Sequence, residues 1–357
     1  MYKLKKVVCC LLTFLLVSNL CPNVTMSLAK EKNNKVDAVY EYYELISNKQ
    51  YDELVSSKLL GGEYYNDVLN CINNEYNKIN HVGIYNIKEA TVRSIQRVID
   101  PAIVVAQMRE YDQAKAVYEV SIELSAYVED EYLKNGTNKR YVILDGDGRI
   151  LGNVQATSEE KAISTVSYDK PKKGIEKNPA DIKVYLTNKK QIKVVGFEKY
   201  CKFVTVSEVG YNWNQNALNA CALAIKNYGA ARKYTKKYPD LGYDVKDSEA
   251  DQVYNPDKAM QTNCSLAVSN IWDYYIYDAN NGLIPAFHVH DKNVSSYAKK
   301  NGGVLSQTKS RDLANSGKKW EEIIKYFYNR KSGVSYYNTE VAVGNVKIVQ
   351  INRYSSK

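Results

Sequence analysis

The chain is poor in the side chains that usually hold metals or attack carbonyls. Of its 357 residues seven are cysteine and three are histidine. Beyond residue 29 the cysteines are Cys71, Cys201, Cys221 and Cys264. They are too sparse for a disulfide framework of the small-domain kind, and no Cys or His spacing suggests a zinc cage. No Cys or Ser stands in a nucleophile context with one of the three His, so acyl transfer ranks last among the chemistries considered. A run long enough to cross a bilayer is also missing. The apolar stretch Val7 to Val17 is too short for that, and it follows Lys3, Lys5 and Lys6 and precedes Ser27-Leu28-Ala29. Residues 1–29 are therefore expected to be a secretory signal peptide, and the protein to be secreted or extracytoplasmic and cell-wall associated. Ser18-Asn19-Leu20 before Cys21 is a poor lipoprotein pattern, so membrane contact is expected only through the signal peptide if it stays uncleaved.

Charge is divided unevenly. Residues 30–157 carry a net −5 and residues 158–357 a net +11, within a total of +9. Two domains with separate tasks are expected from this contrast and from the length. A basic half outside a cell favours anionic wall polymers, and without any binding motif no nucleic-acid partner is expected. The 32 tyrosines go with a load of Lys and Asn and are not evidence for sugar binding.

In chain order, Val39, Tyr43, Ile46 and Leu54 recur at helical spacing, Gly61-Gly62 breaks the chain, and Tyr64 to Asn77 suits a further helix. Then the period becomes two. Tyr118, Val120, Ile122, Leu124 and Ala126 alternate with polar residues, Asn135-Gly136 marks a turn, and Tyr141 to Leu144 and Ile150 to Val154 read as strands. Asp145-Gly146-Asp147-Gly148 is read as a hairpin turn, because it lacks the later ligands of a calcium loop. The fold class is α+β, and residues 30–157 resemble the cystatin-like fold of the nuclear transport factor superfamily. Residues 158–181, with Lys170-Pro171-Lys172-Lys173-Gly174 and Pro179, read as a linker. Ile182 to Leu186 and Ile192 to Val195 form a strand pair, and Phe203, Val204 and Val206 read as a strand leading into Glu208.

Glu208 to Tyr234 organises the rest. A helix is expected to start at Asn214, whose side chain can accept from first-turn amides. Ala217, Ala220, Ala222 and Ala224 allow close packing, and Leu218, Leu223 and Ile225 add bulk; Cys221 reads as a small buried apolar residue. An acid at the mouth of such a buried stretch can hold a proton for transfer. The plainer alternative is a structural acid near a helix N-terminus. His288 and His290 share a strand face, which permits a metal pair, but two ligands without a third favour an ordinary strand with one or both exposed. Trp213 suits a core position better than a sugar platform.

Glu208, Trp213, Ala217, Leu218, Ala220 and Ala222, without a gap, resemble the run of the SpoIID family, named for a peptidoglycan lytic transglycosylase of spore-forming bacteria. Tyr243-Asp244, Asp251-Gln252-Val253-Tyr254, Ile284 to His288, Ser306-Gln307 and the apolar face of Trp320, Ile323, Ile324 and Phe327 resemble later family segments in order. The SpoIID-like domain is placed at 182–330, followed by a C-terminal strand extension, 331–357. The resemblance implies Glu208 as catalytic acid and base, and Trp213, Gln252, Ser306 and Gln307 as substrate-binding residues. The family's zinc ligands are replaced here by Lys246, Ala250 and Asp251, so no metal or other cofactor is expected. Its His before the Ser-Gln pair is replaced by Asn301. The implied function is cleavage of peptidoglycan glycan strands. The alternative is an inactive glycan-binding protein or an amidase enhancer with a cell-wall amidase as partner.

Overall fold

The structure is a computed structural model that describes residues 36–99, 111, 113–156, 175, 177–278, 281–290, 303–329, 335–336, 339–340 and 345–351. The segment 1–29 and most of the expected linker lie outside the described residues. Among those described, no helix is long and apolar enough to cross a membrane.

The N-terminal part begins with helix α1 (36–47), in which Val39, Tyr42, Tyr43 and Ile46 are buried at helical spacing. Helices α2 (Tyr51–Ser56), α3 (Gly62–Ile72) and α4 (Glu75–Ile79) follow. The single helix expected from Tyr64 to Asn77 is thus two. Asn74 divides them: its side chain accepts from the Tyr76 and Asn77 amides and caps α4. Strands β1 (Ile87–Arg97), β2 (Ala116–Ala126), β3 (Gly136–Leu144) and β4 (Ile150–Gln155) form an antiparallel meander in the order β1-β2-β3-β4. Strand β1 was not anticipated. It is largely exposed, and its charged Lys88, Glu89 and Arg93 blur the alternation that makes β2 readable. Val120, Ile122 and Leu124 share one core with the tyrosines of α1, as alternation predicted. The 145–148 turn is closed by Asp145, which accepts from the Asp147 and Arg149 amides and pairs with the Arg149 guanidinium at 2.7 Å.

The C-terminal part starts with β5 (Asp181–Leu186) and β6 (Gln191–Gly196), an antiparallel pair to which β7 (Val245–Lys246) adds in parallel. Two helices follow β6: α5 (Phe197–Glu208) and α6 (Gln215–Thr235). Here the structure corrects the expected strand into Glu208. Phe197, Tyr200, Cys201 and Val204 are buried at helical spacing, and that face outweighs the β-branched run Val204-Thr205-Val206. Helix α6 starts at the expected cap, Asn214, and is buried on all sides. Its small residues let neighbours come close: a Cβ at Gly229 would lie 3.0 Å from the Tyr200 ring and 3.1 Å from Phe197. Around it lie α7 (Thr262–Ile271), β8 (Tyr274–Tyr277), β9 (Phe287–Val289), β10 (Val304–Ser306), α8 (Gln307–Asn315) and α9 (Trp320–Tyr328). A short hairpin, β11 (Ser335–Tyr336) and β12 (Thr339–Glu340), precedes β13 (Lys347–Gln350), which pairs antiparallel with β8. The chain is therefore mixed α+β with several small sheets.

The two parts meet through the turn after α6. Asp240, 1% exposed, accepts from Tyr42, Tyr43 and Asn153 and faces the buried Arg140 at 3.6 Å. Burial pushes its carboxyl up, and Arg140 and the two tyrosine hydroxyls oppose that without cancelling it. Nearby, Asp244 accepts from the Tyr132 hydroxyl at 3.0 Å and from Lys236 at 3.1 Å. The buried ones among these polar contacts gain strength from the low local dielectric.

Candidate functional site

Glu208 is the last residue of α5, and its side chain is 10% exposed. Three elements converge on its carboxylate. The Val253 amide donates to Oε1 at 2.9 Å. His288, in the middle of β9, places Nε2 2.7 Å from Oε2. Gln307, the first residue of α8, donates through Nε2 to the same oxygen at 3.3 Å. Helix α8 thus begins beside the carboxylate, an orientation that favours negative charge. Strands β9 and β10 run parallel with Leu305 opposite His288, which carries the chain from the histidine's neighbour directly into Gln307.

The histidine's protonation follows from its two partners. Nδ1 faces the Ala286 carbonyl at 3.1 Å, and a carbonyl can only accept, so Nδ1 carries a hydrogen. A proton on Nε2 as well makes an imidazolium that donates to Glu208. Burial works against that charge, but the carboxylate's charge and hydrogen bond, together with the Ala286 carbonyl, outweigh it, and the His288 pKa is raised above its ordinary 6.5. The carboxyl and the imidazole are therefore in direct, nearly buried hydrogen-bond contact. Such a pair can give a proton to an oxygen and take one back.

Gln252 supports the histidine from behind. Its Nε2 donates to the Ile225 carbonyl at 3.2 Å and lies 3.4 Å from His288 Nε2, and its Oε1 accepts from the Tyr200 hydroxyl at 2.8 Å. Of the residues singled out from sequence, Glu208, Gln252 and Gln307 come together. Ser306 is next to them but fully buried, and its hydroxyl accepts from the Lys309 amide at 3.0 Å as the cap of α8. Trp213 lies in the turn before α6, packed on the core with the Arg311 guanidinium 5.6 Å over its ring; its contacts run there and not to Glu208.

His288 is the residue that sequence reasoning missed. The expectation of an ordinary strand with one or both histidines exposed is met by His290, which is exposed, while His288 has a side chain only 6% exposed and turns to Glu208. The two do not act as a pair. The one hint in the sequence was rarity: a chain with three histidines places one of them within the Ile284 to His288 segment.

Residues 185–273 match the SpoIID family model, described as Stage II sporulation protein. The C-terminal part of this chain holds a SpoIID domain. The matched segment contains Glu208, Trp213 and Gln252, while His288 and Gln307 meet Glu208 from beyond it. No curated protein matches the chain. Zinc does not fit at the places where the resemblance would put it. Lys246 is an ammonium 2.7 Å from Asp67, Ala250 offers no side-chain donor, and Asp251 already accepts from Lys237, Tyr228 and Tyr238. Among the described residues no group of three or more His, Cys, Asp or Glu could hold a metal ion. Cys71, Cys201, Cys221 and Cys264 are free and buried; burial raises the thiols of Cys71 and Cys221 to about 11 and about 12, so neither is a ready thiolate.

Proposed function

We propose that this protein is exported and that its SpoIID domain cleaves the glycan strands of peptidoglycan as a lytic transglycosylase. The observation that carries the reading is the 2.7 Å contact between Glu208 and His288, with Glu208 inside the segment that matches the family. In this reaction one carboxyl serves twice. It protonates the leaving glycosidic oxygen, and its carboxylate then accepts the proton of the sugar's own attacking hydroxyl. A second catalytic carboxylate is not required, unlike in most glycosidases. His288 meets Glu208 Oε2 at 2.7 Å, Gln307 donates to the same oxygen, and the Val253 amide fixes the other. Trp213, which is only partly buried, is proposed to line the approach of the glycan and Gln307 to meet it beside Glu208; Gln252 and Ser306 are buried and hold these groups from behind. The N-terminal part, read as a cystatin-like domain of residues 30–157 behind a signal peptide, would act as a spacer or binding module.

One observation favours a second reading, a domain that binds glycan or enhances an amidase without cutting. Both Glu208 oxygens already have protein donors, and the side chain is only 10% exposed. Digestion of purified peptidoglycan, with and without stem peptides, by the wild type and by Glu208→Gln separates the two. Products with anhydromuramic ends from the wild type alone are expected. Glycan retained in a pull-down with no cleavage by either protein would sink the enzyme reading and leave the binding one.

A further inference from the structure

Away from the Glu208 site, a cavity of about 360 Å³ lies between the two parts of the chain. None of the residues lining it belongs to the Glu208 site. One wall is the start of α3, with Glu63 and Asp67; the facing wall is the chain after α6, with Lys237, Tyr238, Lys246 and Glu249. A cleft of this size at a junction of two units is a common place for a small ligand.

The charge on its walls does not balance. Lys237 is 3.0 Å from Asp251, a buried carboxylate just behind the wall, and is matched by it. Lys246 is 2.7 Å from Asp67 and 3.5 Å from Glu63, and a third carboxylate, the exposed Glu249, also lines the cavity. The surplus is negative in a chain whose net charge is +9. Burial pushes the Asp67 carboxyl up, and Lys246 and Lys237 oppose this without cancelling it. The ring of Tyr238 adds a face that already attracts cations, with Lys237 and Lys246 ammoniums 5.2 and 5.5 Å from its centroid.

We infer that this cavity binds a ligand carrying a primary ammonium group, of the size of an amino acid or an amino sugar. The ammonium would sit among Glu63, Asp67 and Glu249 and supply the positive charge that Lys246 alone does not. Aliphatic amines and amino sugars share this chemistry, and the probes below tell them apart.

The test is isothermal titration calorimetry on the full chain with Nα-acetyl-lysine amide and with glucosamine. Their N-acetylated, neutral counterparts and the dianion glutarate serve as controls. Saturable heat with at least one amine and none with the controls is expected, and the better amine names the source. Glu63→Gln and Glu249→Gln change exposed groups and are expected to leave the thermal midpoint in place while weakening the amine by about two- to five-fold each. Glu208→Gln is expected to keep amine binding, so this inference and the transglycosylase reading fail separately. Equal binding of a control, an amine affinity untouched by both substitutions, or no heat with any probe would overturn it.

Discussion

Replacing Glu208 by Gln keeps the shape of the side chain and removes its charge. The Val253 amide can still donate to Oε1, now at 2.9 Å, so the local backbone loses nothing. His288 loses its counter-charge at 2.7 Å. In the wild type, burial depresses the imidazolium while Glu208 and the Ala286 carbonyl more than restore it. Without the carboxylate, burial is opposed by the carbonyl alone, and the His288 pKa is expected to fall from above 6.5 to below it. The charge-assisted hydrogen bond that disappears is worth about 1.5–3 kcal/mol. The sign of its pH dependence is fixed by the raised pKa. The contribution is fully present below the unfolded His288 value and is lost as pH rises through the higher folded one. The wild type should therefore exceed Glu208→Gln in stability most at about pH 5–6 and least near pH 8. Glu208→Ala is harsher, since it also strands the Val253 amide and the Gln307 side chain, and should cost about 3–5 kcal/mol. Imidazole NMR titration and urea unfolding of the three proteins would check this. A His288 titration unchanged in Glu208→Gln, or a stability difference flat with pH, would refute the coupling of His288 to Glu208.

Two further substitutions test the frame around the site. Lys226 is fully buried in α6, donates to the Tyr274 carbonyl at 2.7 Å and lies 3.5 Å over the Tyr275 ring, and burial lowers its pKa to about 7. In the window above that value the unfolded chain binds more protons than the folded one. The wild type should gain on Lys226→Met by up to about 1.4 kcal/mol per pH unit between about pH 7 and 9, and parallel unfolding curves would contradict this. Asp240→Asn leaves Arg140 buried without its counter-charge at the seam and should cost about 3–5 kcal/mol in denaturant unfolding. A loss under about 1 kcal/mol would show that the seam does not depend on that charge.

What the sequence by itself determined is what local pattern can carry. The alternation of Val120, Ile122 and Leu124 specifies a half-buried strand, and Asn214 ahead of a run of small and apolar residues specifies a capped, buried helix. The Glu-Trp-Ala-Leu spacing pointed to the SpoIID domain found at 185–273. What only the tertiary structure decided is everything that depends on which surfaces meet. Phe197 to Glu208 carries both a helical face and a β-branched run, and contact with Gly229 of α6 selects the helix. The edge strand β1 owes its place to pairing with β2 rather than to its own weak pattern. Glu208 meets His288 across 80 positions and Gln307 across 99, and no periodicity links residues so far apart. A carboxylate looks the same in a sequence whatever its partners; the packing of β9, β10 and α8 against the end of α5 supplies them.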